Sequence, residues 1–89
     1  MPSKEFTLTD LRRILRAAAG AGEEIGSDAH FLDVPFEDLG FDSLAVLESG
    51  ARIQREFGVR LDDSVLVDVV TPRALMEIVN AQLAVLETR

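Results

Sequence analysis

A single hydroxyl, Ser43, stands in the stretch Asp38-Leu39-Gly40-Phe41-Asp42-Ser43-Leu44, between acidic residues and an apolar run. A serine there has three possible chemistries. As a nucleophile it needs a general base and an oxyanion hole. Gly40-Phe41-Asp42-Ser43 lacks the second glycine of a nucleophile elbow and follows no strand pattern. The one histidine, His30, carries no feature that marks it as a base. No catalytic residue is expected. As a helix cap, either Asp42 or Ser43 can accept a first-turn N–H, the default role of such residues at a helix start. As the acceptor of a phosphate-bearing group, Ser43 would use the same helix end, whose N–H groups and positive dipole favour a phosphodiester. Gly40 keeps the approach open. Spacing alone does not choose between cap and modification site.

The elements that must position Ser43 are helical. A helix is predicted over Leu8 to Ala19, with Thr7 and Asp10 forming a capping-box-like start. Leu8, Leu11, Leu15 and Ala18 fall on one stripe with Ile14 beside it, and Gly20 and Gly22 close the helix. A long connection from Ala21 to Asp42 follows. Gly26, Asp28, Asp33 and Pro35 oppose regular structure there, while Ile25, Phe31, Leu32, Val34, Phe36, Leu39 and Phe41 pin it to a core. The second helix runs from Ser43 to Phe57 and ends at Gly58. Val46, Gly50, Ile53 and Phe57 form its core stripe with Ser49 at the edge; Leu44, Leu47 and Ala51 form a second stripe at the surface. Gly50 leaves room for a close neighbour or a bound chain. If a polar chain enters the bundle, the expected place is near Ser49 and Gly50.

Over Asp62 to Val70 the valines favour a strand, but no partner strand is evident, so a short helix is expected. Asp62, Asp63 and Asp68 do not match a calcium loop, and no metal site is expected. The last helix starts at Thr71, the N-cap, with Pro72 at its first position. Its buried stripe is predicted as Leu75, Ile78, Val79, Leu83 and Leu86. The fold class is therefore all-α: a small bundle of three main helices plus one short helix, with a long first loop.

The length of 89 residues allows one domain, with 1–6 and 87–89 frayed, and the apolar fraction of 47% is ample for a core. There is no cysteine, which fits a reducing compartment. No apolar run approaches the roughly 18 residues of a membrane span, and the N-terminus lacks a signal-peptide pattern; a cytoplasmic monomer is expected, with no membrane partner. The net charge is −7, and eight acids but no Lys or Arg lie between Ala17 and Ala51. That field repels phosphate backbones, which excludes nucleic acid as a partner, and steers basic protein surfaces.

The stretch Asp38 to Leu44 resembles the attachment motif of acyl carrier proteins, D-L-G-x-D-S-L. The likeness continues through Ala45-Val46-Leu47-Glu48-Ser49-Gly50-Ala51-Arg52-Ile53. With the aromatic Phe41 and the Thr71-Pro72-Arg73-Ala74-Leu75 helix start, it is most similar to carriers of type II (aromatic) polyketide synthases, over roughly residues 7 to 86. The resemblance implies that Ser43 receives 4′-phosphopantetheine from coenzyme A through a separate Mg²⁺-dependent phosphopantetheinyl transferase. The thiol of that arm then carries the growing chain as a thioester. Asp42 would position the transferase and its metal. Glu37, Asp38, Leu44, Leu47, Glu48 and Ala51 would form the recognition face. Implied partners are a ketosynthase/chain-length-factor pair, a malonyl transferase, a ketoreductase and cyclases.

Two features depart from relatives of other kinds. Ala45, Ala51, Arg52 and Arg55 make the second helix less acidic than in fatty-acid carriers, and Leu39-Gly40-Phe41 lacks the Gly-Gly common in peptidyl carriers. Val65-Leu66-Val67 is also more apolar than the usual third helix; a cavity lining or a partner contact would each account for it. Fatty-acid and peptidyl carriers remain alternatives, as does a different class, a non-covalent helical adaptor using the acidic face and the Leu44/Leu47/Ala51 stripe.

Overall fold

The computed structural model describes residues 5–19 and 29–87, and among these every regular element is a helix. Helix α1 spans Leu8–Ala19, a 3₁₀ turn Ala29–Asp33, α2 Ser43–Phe57, the short α3 Asp63–Leu66, and α4 Pro72–Glu87. The expected closure of α1 by Gly20 and Gly22, and Ile25, Gly26 and Asp28 of the loop, lie outside the described residues.

Local chemistry explains the helix starts. Asp10 accepts from both the N–H and the hydroxyl of Thr7 (3.1 and 2.9 Å), while Thr7 Oγ1 accepts from the Asp10 N–H at 3.2 Å. These reciprocal bonds satisfy first-turn donors that have no intrahelical acceptor. Thr71 Oγ1 accepts from the Ala74 N–H at 3.2 Å, and Pro72 occupies the first position of α4. Helix α2 ends where the Gly58 N–H donates to the Gln54 carbonyl at 3.0 Å.

Packing joins α1 to α2 and α4, α4 to the 3₁₀ turn, and α3 to α2. Leu11, Ile14 and Leu15 of α1, Val46, Ile53 and Phe57 of α2, and Leu75, Val79 and Leu83 of α4 meet in one core. Arg13 of α1 reaches across to Glu56 of α2 with two bonds of 3.0 and 2.9 Å. Phe31, Leu32, Phe36, Leu39 and Phe41 of the connection are all buried, so this loop is fixed by its own apolar side chains, as the sequence implied.

Two expectations fail. Residue 6 was expected to fray with the terminus, yet Phe6 is buried and packs edge-on against Phe57, with ring centroids 5.1 Å apart. Its N–H donates to Asn80 Oδ1 at 2.8 Å and its carbonyl accepts from Asn80 Nδ2 at 3.1 Å. A side-chain amide thus replaces the backbone partner a frayed end would lack. Leu86 was expected in the buried stripe of α4 but is 41% exposed. It follows Leu83 by three residues, on the same side of α4, but in the helix's final turn. Ile78 is only half-buried.

Candidate phosphopantetheine attachment site

Ser43 is the first residue of α2 and is exposed. The turn before it is tightly bonded. The N–H groups of Asp38 and Leu39 donate to the Pro35 carbonyl (2.9 and 3.1 Å), that of Gly40 to Glu37 (3.2 Å), and that of Phe41 to Phe36 (2.9 Å). Gly40 has φ +87°, a left-handed conformation that a Cβ disfavours even though nothing lies within 4 Å of one built there. Glycine is needed for the backbone, and its bareness also leaves open space beside the serine. The Phe36 N–H donates to the Val70 carbonyl at 2.8 Å, tying the turn to the α3–α4 connection.

Asp42 is the N-cap: its Oδ1 accepts from the Ala45 N–H at 2.8 Å, with φ −89° and ψ −179°. The cap is therefore the aspartate, and the Ser43 hydroxyl is not consumed by that duty. Ser43 and Leu44, as the first helical residues, have N–H groups without intrahelical acceptors. This arrangement fits a serine-linked phosphodiester, which would sit where donors and the dipole favour an anion. The neighbouring carboxylates of Asp42, Asp38 and Glu37 oppose it, so the exposed position, where water screens them, matters.

A groove of about 610 Å³ opens beside the serine. Its lining includes Ser43 and Asp42, with Phe36, Phe41, Val46 and Leu66 among its apolar walls and Val67, Val69 and Val70 along the α3 side. Three separate segments build it: the turn before α2, the start of α2, and α3 with its following residues. The apolar character of Val65-Leu66-Val67 thus has a partial account, since Leu66 and Val67 are groove walls. Val67 and Val70 are 58% and 61% exposed.

The structure places the other sequence-derived residues unevenly. Glu37, Asp38, Leu44 and Glu48 are exposed, Leu44 at 63%. Leu47 and Ala51 are half-buried, with Leu47 packed against the core edge. The second stripe of α2 is therefore an open surface only at Leu44. The expected place for a chain, near Ser49 and Gly50, is closed. Ser49 is fully buried with its hydroxyl donating to the Ala45 carbonyl at 2.9 Å, and Gly50 is covered by Leu66. The groove instead opens toward Phe36, Phe41, Val69 and Val70, with Leu66 and Val67 of the apolar third-helix segment in its wall. His30 lies exposed in the 3₁₀ turn.

The sequence matches the family described as "Phosphopantetheine attachment site" over residues 9–79. It is 52% identical over 84 residues to the monensin polyketide synthase acyl carrier protein of Streptomyces virginiae, covering 94% of each chain. The chain belongs to the acyl carrier proteins of type II polyketide synthases. Members of this family hold 4′-phosphopantetheine covalently and are carriers, not catalysts. The carrier is also 44% identical to the actinorhodin polyketide synthase acyl carrier protein of Streptomyces coelicolor, over 89% of this chain and 92% of that one. Its fold superposes on the actinorhodin holo acyl carrier protein with a TM-score of 0.83 at 41% identity, covering 93% of this carrier and 96% of the other. No helix among the described residues is long and apolar enough to cross a membrane.

Proposed function

We propose that Ser43 holds the 4′-phosphopantetheine of this carrier, and that residues 1–89 act as one carrier domain presenting polyketide intermediates to the enzymes of a type II synthase. The observation that carries this reading is the division of labour at the start of α2. Asp42 caps the helix, which leaves the Ser43 hydroxyl exposed at a helix N-terminus and on the lip of an apolar groove. When attached, the arm supplies a thiol that binds an acyl chain as a thioester. The chain's own residues hold, orient and shield.

Carriers of this family work with polyketide synthase enzymes. The finer assignment, to a phosphopantetheinyl transferase, a ketosynthase/chain-length-factor pair, a malonyl transferase, a ketoreductase and cyclases, draws support from exposed features around Ser43. Glu37, Asp38 and Glu48 present negative charge and Leu44 an apolar contact, a combination that suits a basic surface with an apolar notch. Leu47 and Ala51, half-buried, would contribute at the margin of that contact. Asp42 spends Oδ1 on the cap, and its other carboxylate oxygen would serve a transferase or its Mg²⁺.

The test is intact-mass spectrometry after incubation with coenzyme A, Mg²⁺ and a broad-specificity phosphopantetheinyl transferase. Wild-type protein is expected to gain one phosphopantetheinyl group and Ser43→Ala none. An unmodified wild type, or a modified variant, overturns the assignment.

A further inference from the structure

We propose that Leu66 limits how much of a tethered acyl chain this carrier can cover. The inference rests on the assignment of Ser43 above and on the packing of α3 against α2. A Cβ built on Gly50 would lie 2.5 Å from Leu66 Cδ1 and 3.1 Å from Cδ2. Real Cβ atoms do not approach so closely, so the bare backbone at residue 50 is what allows Leu66 to settle onto α2. Leu66 is itself buried, yet it also lines the groove beside Ser43. One side of its isobutyl group is groove wall, and another rests on Gly50. Ser49 and Ile53, which flank Gly50 on the buried side of α2, have no exposed surface.

The groove therefore ends at Leu66. A chain tethered at Ser43 meets Phe36, Phe41, Val46 and Val69 and goes no deeper between α2 and α3. The apolar walls, with the Glu37 and Asp42 carboxylates also in the lining, select an uncharged acyl segment of short reach, alkyl or oxoalkyl, and reject a carboxylate. A longer chain has to turn outward across the exposed Val67 and Val70, where a partner enzyme can take it.

The test uses the full chain loaded at Ser43 with butyryl or octanoyl groups, loading being checked by intact mass, with backbone amide NMR shifts as the readout. In wild type both groups are expected to shift the amides of Phe41, Val46 and Val69, with no further response at Gly50 or Ile53 to the longer chain. In Leu66→Ala the octanoyl group is expected to shift Gly50 and Ile53 as well. Gly50→Ala drives Leu66 toward the groove and is expected to shrink the shifts at Val46 and Val69. Should Leu66→Ala not fold, Leu66→Val makes the same comparison with a smaller response at Gly50. Three results overturn the proposal: a wild-type octanoyl form that shifts Gly50 as strongly as Val46, silent groove amides, or a Leu66 variant with the wild-type pattern. Failure to load counts instead against the Ser43 assignment.

Discussion

The Arg73 guanidinium holds both carboxylate oxygens of Asp33, Nε to Oδ1 at 2.7 Å and the second nitrogen to Oδ2 at 3.1 Å. The hydrogen bond from Arg73 keeps the Asp33 carboxyl below its ordinary range and raises the guanidinium in return. The pair joins the first turn of α4 to the 3₁₀ turn, and the Phe36–Val70 backbone bond anchors the same loop three residues later. Both side chains are open to water, so the pair adds little to global stability. Its effect is local: it fixes where the loop begins its path to Ser43. Arg73→Ala should leave the melting temperature nearly unchanged, while amide hydrogen exchange speeds up at Val34 and Phe36. Unchanged exchange at both would show that the apolar anchors alone hold the loop.

Stability and attachment should separate at the start of α2. Asp42→Ala removes the cap to Ala45, for a loss of about 1 kcal/mol. Ser43→Ala removes no cap and should unfold with the wild type, while losing all capacity for modification. Denaturant titration of the two variants checks this, and a destabilised Ser43→Ala would assign capping to the serine.

Acid should weaken the α1–α2 brace. For Asp10, burial pushes the carboxyl up, but the Thr7 and Arg13 donors outweigh it and the net direction is down. For Glu56 the Arg13 hydrogen bond leads, and the direction is again down. A carboxyl depressed in the folded state stabilises fully above its unfolded range, near pH 4, and loses that contribution as pH falls through the folded value. The melting-temperature margin of wild type over Arg13→Ala should be constant between about pH 7 and pH 5 and shrink below about pH 4. A margin that widens in acid would reverse the sign argued here.

Leu44 should matter to partners and not to folding. It is the one large residue of the second α2 stripe that is mostly exposed. Leu44→Asp is expected to retain the wild-type denaturation midpoint and to lower the rate at which a ketosynthase pair condenses its bound acyl group with the carrier's malonyl thioester, read as CO₂ released. Leu47→Asp should lose both, because Leu47 packs against the core edge. Equal condensation rates for wild type and Leu44→Asp would remove Leu44 from the recognition face.

Much of this was legible in the sequence because it is locally encoded. Asp42 before Ser43, Gly58 after Phe57, and Thr71-Pro72 are start and stop signals that act within one helical turn, and the helices begin and end there. Phe6 was not legible. It lies outside any periodic segment, and its amide partner, Asn80, is 74 residues away. Gly50 announced room for a close neighbour, but nothing local identified Leu66. The groove was hidden for the same reason: three distant segments contribute its walls, so no single stretch carries its pattern. Leu86 shows the opposite limit: its spacing from Leu83 is right, yet it is 41% exposed in the last turn of α4. Periodicity gives a helix face and not where burial along it stops.

The most direct measurement is fragmentation mass spectrometry of the loaded protein, assigning the added group to one side chain. Three serines among the described residues compete: Ser43 exposed at the head of α2, Ser49 fully buried, and Ser64 exposed on α3. The fragment holding the phosphopantetheinyl group is expected to contain Ser43 alone, with Ser49 and Ser64 unmodified. A group found on Ser64, or on any residue other than Ser43, would contradict the assignment.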